Sequence, residues 1–211
     1  MIISVENLNK KFQNNLVLDN VNMKLESGNI YGFIGRNGSG KSVLLKIICG
    51  LYEPSNGKVF FDDVDIFQEN KTPPNTRALI EKPDFIPDLT GKENLELLVA
   101  IQNLVGDKEI EETLENVGLL ADKDKSYSKY SLGMKQKLGI AQVLVEDPQV
   151  MIFDEPFNGI EDYTANKIRD ILLKKKNDGK LIIIASHIKE DIENLANIVY
   201  KFDDGKIKKI K

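Results

Sequence analysis

Eight residues near the amino terminus, Gly35-Arg36-Asn37-Gly38-Ser39-Gly40-Lys41-Ser42, have the types and spacing needed to grip a polyphosphate. Glycines let the backbone curl until successive N–H groups point at phosphate oxygens. Lys41 is placed to neutralise β- and γ-phosphates, and the Ser42 hydroxyl to join the shell of a Mg²⁺ ion. NIYGFIG before the loop reads as a short buried strand, and VLLKIICGL after it, from Val43, as an apolar helix ended by Gly50. That strand–loop–helix setting makes the pattern specific for phosphate; without it, the same residues could be a glycine-rich turn at an ordinary helix start. The helix also brings the positive end of its dipole to the anion.

A phosphate loop that does chemistry needs a metal partner and a group that acts on water. VMIFDEP supplies both. Four apolar residues carry Asp154 to a strand end, where it can hold Mg²⁺ through water, and Glu155 follows, placed to orient or deprotonate the attacking water. Away from a phosphate loop, Asp-Glu after a strand is commonly a solvated loop start. His187, the single histidine, follows the apolar run LIIIAS. A parallel sheet brings that strand end to the edge where ligands collect, so a hydrogen bond to the γ-phosphate or the attacking water is expected of it. A third stretch, KYSLGMKQKLGIAQ, carries no obvious nucleophile, acid or metal ligand, yet Ser131, Leu132 and Gly133 stand at a helix start. A hydroxyl and free N–H groups there suit an anion.

These groups need a scaffold, and the periodicities supply one. ISVENL, VLDNVNMKLE and KVFFDD read as strands broken by turns at Asn14-Asn15 and Ser27-Gly28. From Asp84 to Glu146 the texture is helical. Thr90-Gly-Lys-Glu93 is a capping box ahead of ENLELLVAIQNLV, KEIEETLENVGLL follows, and a third helix runs from the Ser131 region toward Pro148. QVMIFDEP and KLIIIASHI then flank the helix TANKIRDILLKKK, an alternation that argues for a mostly parallel sheet, and NIVYKFDDGKIKKI reads as a hairpin around Asp204-Gly205.

Composition narrows the function classes. The 211 residues fit one domain of ordinary size, and 29 basic against 33 acidic side chains give a formal charge of −4, which speaks against a nucleic-acid partner. Cys49 is the single cysteine, so no internal disulfide forms and a reducing compartment is expected. The longest apolar runs are far shorter than the ~20 residues of a spanning helix, and no signal-peptide pattern opens the chain.

The motif set resembles the nucleotide-binding subunit of ATP-binding-cassette (ABC) transporters over essentially the whole length. GRNGSGKS matches Walker A, VMIFDE Walker B, NGIED the D-loop with Asn158, Gly159 and Glu161, and His187 the switch histidine. YSLGM stands where the family keeps LSGGQ. The resemblance implies an α/β P-loop NTPase of the ABC-ATPase type: a mostly parallel core sheet, an N-terminal antiparallel β-subdomain and an inserted α-helical subdomain. Residues 1–211 would form one nucleotide-binding domain, with a catalytic core from 1–83 and 147–211 and a helical signature subdomain at 84–146. It further implies that two cassettes, identical or related, close head to tail over two ATP molecules with Mg²⁺. Ser131 and the backbone around Gly133 would then meet the γ-phosphate bound by the partner.

The same resemblance places Phe12 in the position of the adenine-stacking aromatic, with an ordinary core Phe as the alternative. Glu81, in ALIEKPDF, stands where a glutamine usually links the nucleotide's metal to an integral-membrane subunit. Leu132 and Met134 remove polarity from the signature, and Glu161 replaces the usual D-loop aspartate. YSLGMKQKLGIAQ together with ALIEKP resembles the bacitracin and lantibiotic export ATPases. The implied role is an ATP-hydrolysing motor, cytoplasmic and held on the inner face of the membrane by a membrane subunit. A soluble cassette ATPase acting on ribosomes, DNA or iron–sulfur assembly is the second reading. A P-loop kinase or GTPase is the third, and the chain has no Asn-Lys-x-Asp base-reading motif to support it.

Overall fold

The computed structural model describes residues 1–211. Its first sheet is antiparallel and built from β1 (Ile2–Phe12), β2 (Asn15–Glu26), β4 (Asn56–Phe61) and β5 (Val64–Asp65), in the order β2-β1-β4-β5. The second sheet holds β3 (Asn29–Ile34), β6 (Thr76–Leu79), β7 (Val150–Asp154), β8 (Leu181–Ser186), β9 (Ile198–Asp203) and β10 (Lys206–Lys209). Its order is β10-β9-β3-β8-β7-β6, parallel throughout except for the β9–β10 hairpin.

The central strands are apolar on both faces because both faces are covered. Every residue of β7 and β8 is buried. The pleat sends alternate side chains of β8 in opposite directions: Ile182 and Ile184 join one hydrophobic core, Leu181, Ile183 and Ala185 the other. The first core is completed by α2 (Gly91–Val99), α3 (Asp107–Asn116), α4 (Leu132–Leu144), α5 (Asp162–Asn177) and the short α6 (Lys189–Glu193). The second is completed by α1 (Lys41–Ile48) and the antiparallel sheet.

Local signals act as expected at several ends. Thr90 caps α2, its hydroxyl accepting from Glu93 N–H at 3.1 Å while the Glu93 carboxylate accepts from Thr90 N–H at 2.7 Å. Three features depart from the sequence reading. The helical pattern through Val105 stops at Val99, and Asn103 adopts a left-handed φ of 52°, a conformation asparagine tolerates at a helix end. The apolar residues that continue the pattern, Ile101 and Leu104, project into solvent and give the extra turns no packing. β6 and α6 went unread, since four and five residues carry too little periodicity to register.

Candidate active site

β3 delivers the chain into the glycine-rich loop, and α1 leaves it from Gly40, whose φ of 101° excludes other residues. A Cβ there would also lie 2.8 Å from Leu18 Cδ2 and 3.0 Å from the Val17 carbonyl. Gly40 offers α1 no side-chain cap, and no acid occupies the first turn, so the helix start is open to an anion. Lys41 folds back over the loop and its Nζ donates to the carbonyls of Gly35 at 2.8 Å and Arg36 at 3.2 Å. Burial pushes its pKa down, while the nearby Glu155 and Asp154 carboxylates push it up. Ser39 Oγ is buried without a partner; a phosphate oxygen would supply one.

Asp154 closes β7 and is buried. Burial raises its pKa first of all; the Ser42 hydroxyl and Lys41 oppose that, and Glu155 and Glu81 add to it. Ser42 and Asp154 are hard oxygen donors side by side. No cluster of three or more His, Cys, Asp or Glu stands ready to cage a metal. Mg²⁺ fits such a site, because it commonly takes one or two protein oxygens and fills its shell with phosphate and water.

Glu155 turns out of the strand at a left-handed φ of 51°, its N–H donating to the Ala185 carbonyl at 2.8 Å. Both carboxylate oxygens are engaged. Oε1 accepts from His187 N–H at 2.8 Å and lies 2.8 Å from His187 Nδ1, while Oε2 accepts from Ser186 Oγ at 3.0 Å. Ser186 Oγ in turn accepts from Ile188 N–H at 3.0 Å. The sequence reading singled out His187 and missed Ser186, which looks like the last residue of an apolar strand. It also missed Gln136, whose side-chain amide donates to the carbonyls of Glu155 at 3.0 Å and Pro156 at 3.2 Å. That amide fastens α4 to the end of β7.

One cavity of about 730 Å³ gathers Phe12, Asn37 to Val43, Glu81, Asp154, Glu155 and Asn158. Phe12 sits half-exposed at its rim, edge-on to Tyr52 at 5.7 Å and under Lys10 Nζ at 4.9 Å. Glu81, at a left-handed φ of 63°, is held by Lys46. Gly35 and Arg36 shape the loop without lining this space, and His187 reaches it through Glu155.

The signature stretch is arranged differently from a simple anion cradle. Ser131 caps α4, and its Oγ accepts from Met134 N–H at 3.2 Å, so its hydroxyl already has a partner within its own helix. Leu132 is 66% exposed and reaches the cavity of its own chain. Gly133 lies so close to the Gly159 carbonyl that a Cβ would stand 2.5 Å from it. Lys137 on α4 pairs with Glu161 at 3.0 Å. Signature and D-loop residues are thus packed together beside the cavity, and Ser131, Gly133, Met134, Gly159 and Glu161 do not line it.

Known proteins share this chain's sequence pattern and fold. A family model described as "ABC transporter" matches residues 18–158. An uncharacterized ABC transporter ATP-binding protein of Bacillus subtilis (strain 168), YybJ, is 37% identical over 98% of this chain and 94% of its own length. The bacitracin transport ATP-binding protein BcrA of Enterococcus faecalis is 37% identical over 97% of this chain and 67% of its own length. The lantibiotic transport ATP-binding protein SrtF of Streptococcus pyogenes is 32% identical over 98% and 89%. Among solved structures, the ATP-binding subunit of an ABC transporter superposes with a TM-score of 0.89 at 24% identity, covering 100% of this chain and 90% of that one. A nucleotide-free ABC transporter cassette gives 0.81, also at 24%, covering 98% and 89%. The chain belongs to the ABC transporter family, as an ATP-binding subunit with ATPase activity coupled to transport.

Proposed function

We propose that this chain powers an exporter of a peptide antibiotic or similar compound, closing as a dimer over two ATP molecules and driving a separate membrane subunit. The observation that carries the chemical part is the Glu155 carboxylate, held on both oxygens beside the phosphate-loop cavity. The loop N–H groups, Ser39 and Lys41 bind and orient the phosphates, and Phe12 takes the adenine. Ser42 and Asp154 would hold Mg²⁺, which supplies charge stabilisation to the phosphoryl oxygens. Glu155 accepts the proton of the attacking water while His187 and Ser186 fix its orientation. Export follows from the likeness to the bacitracin and lantibiotic transport proteins.

For dimer closure, Ser131 and the α4 amino terminus would face the partner's γ-phosphate. Residues 84–146 form the helical part that moves against the core of 1–83 and 147–211. The chain has no helix long and apolar enough to cross a membrane, so attachment to the inner face of the membrane would run through the membrane subunit. A docking surface for that subunit is at hand. Ile86, Leu97, Leu98, Ile101 and Leu104 are all exposed, and Leu98 separates two hollows of about 480 and 230 Å³. Such an apolar patch marks an interaction face.

Phosphate release by the purified chain tests the reading: it should proceed with Mg²⁺–ATP and stop in EDTA, and no release under either condition would overturn it. Replacing the Ser186 hydroxyl should separate orientation from binding. Ser186→Ala is expected to lower kcat by about ten- to 100-fold with KM nearly unchanged, the worth of one hydrogen bond donated to a carboxylate. An equal kcat in the variant would remove Ser186 from the site. Ile101→Asp, with Ile101 79% exposed, should leave this phosphate release intact and abolish co-purification with the co-expressed membrane subunit. Retained co-purification would move the docking face elsewhere.

A further inference from the structure

We propose that Lys46 is a positioning residue for the nucleotide site, acting as the counter-ion that keeps Glu81 from repelling the bound polyphosphate. The carboxylate at position 81 adds a third acid to a cavity that already holds Asp154 and Glu155. An ATP molecule brings about four more negative charges to the same space. Lys41 alone cannot offset that sum.

Lys46 is built to answer it. It lies in the last turn of α1, where a cation also suits the helix dipole. Its Nζ donates to Glu81 Oε1 at 2.5 Å, and its side chain is only 17% exposed. The ammonium also sits 5.2 Å from the centroid of the Tyr52 ring. The Lys46 carbonyl accepts from Tyr52 N–H at 3.3 Å, so one residue fixes both ends of that contact. Tyr52 in turn meets Phe12 edge-on. A continuous set of contacts therefore runs from the adenine end of the cavity, through Tyr52 and Lys46, to Glu81 and its left-handed backbone.

An ion pair whose acid is 63% exposed contributes little to folding. Its location gives it a different consequence. While Lys46 holds the carboxylate, the charge is cancelled and its oxygen points at the ammonium. Once the ammonium is removed, a free carboxylate is left beside the phosphates.

The inference rests on the nucleotide reading of the cavity, and the experiment separates the two. ATP affinity is measured in EDTA for the wild type, Lys46→Met, Glu81→Gln and the double variant; methionine keeps the apolar stem against Tyr52. Lys46→Met should weaken binding about five- to tenfold. Adding Glu81→Gln should restore it to within about twofold of Glu81→Gln alone, the non-additivity expected of a coupled charge pair. A loss of the same size in both backgrounds, or no loss at all, would overturn the proposal. A wild type that binds no ATP would instead strike at the nucleotide reading.

Discussion

Glu155→Gln should retain ATP and lose hydrolysis. Phosphate release is expected to fall by about 100- to 10,000-fold, the range for a positioned general base, while ATP affinity stays within about threefold. The geometry explains why the fold tolerates the change. The amide oxygen can keep accepting from His187 N–H, and the amide nitrogen then faces Ser186 Oγ, a hydroxyl able to accept. Only the capacity to take a proton from water is lost. The trapped ATP state also tests the dimer. The variant should have the mass of a monomer alone and of a dimer with Mg²⁺–ATP, and adding Ser131→Arg should abolish the dimer. Wild-type hydrolysis in Glu155→Gln would remove Glu155 from the chemistry. A monomer under both conditions, with ATP binding confirmed separately, would sink the self-sufficient homodimer and point to a related cassette or the membrane subunit as the missing partner.

Lys41→Ala should do the opposite and weaken binding itself. The buried ammonium is held over the loop by two carbonyls, ready to transfer its hydrogen bonds to phosphate. Two charge-assisted bonds are at stake, and about 3 kcal/mol corresponds to roughly a 100-fold loss of ATP affinity. The folded state should survive. Burial already disfavours the charged lysine, and Gly35 is only partly buried and Arg36 exposed, so water can reach the freed carbonyls. The ligand-free melting temperature should therefore change by no more than about 5 °C. Calorimetric titration with ATP, with melting measured on the same samples, decides it. Undiminished affinity would show that Lys41 does not contact phosphate.

Much of the site was legible because its chemistry is contiguous in the chain. The loop from Gly35 to Ser42, the pair Asp154-Glu155 and the capping box at Thr90 each act within a few residues of themselves. The buried runs of β7 and β8 likewise announce strands covered on both faces, and so a parallel sheet. Ser186 and Lys46 carry no such mark. One completes an apolar strand and the other belongs to a helix pattern, and each gains its meaning from a partner 31 or 35 residues away. The stretch from Glu96 to Val105 misled for the complementary reason: its apolar spacing continues beyond Val99, but no element of this chain packs on Ile101 or Leu104.

The sequence alone determined the ligand class, the layered α/β architecture and the order of the motifs, since backbone curvature, charge and hydrophobic period are local properties. Tertiary structure decided which groups meet. It tied Glu155 to His187 and Ser186, closed Lys46 onto Glu81, and placed the Ser131 hydroxyl within its own helix cap. Those choices depend on how strands register and helices pack across the sheet, and a hydrogen bond between residues far apart in the chain leaves no periodicity behind it.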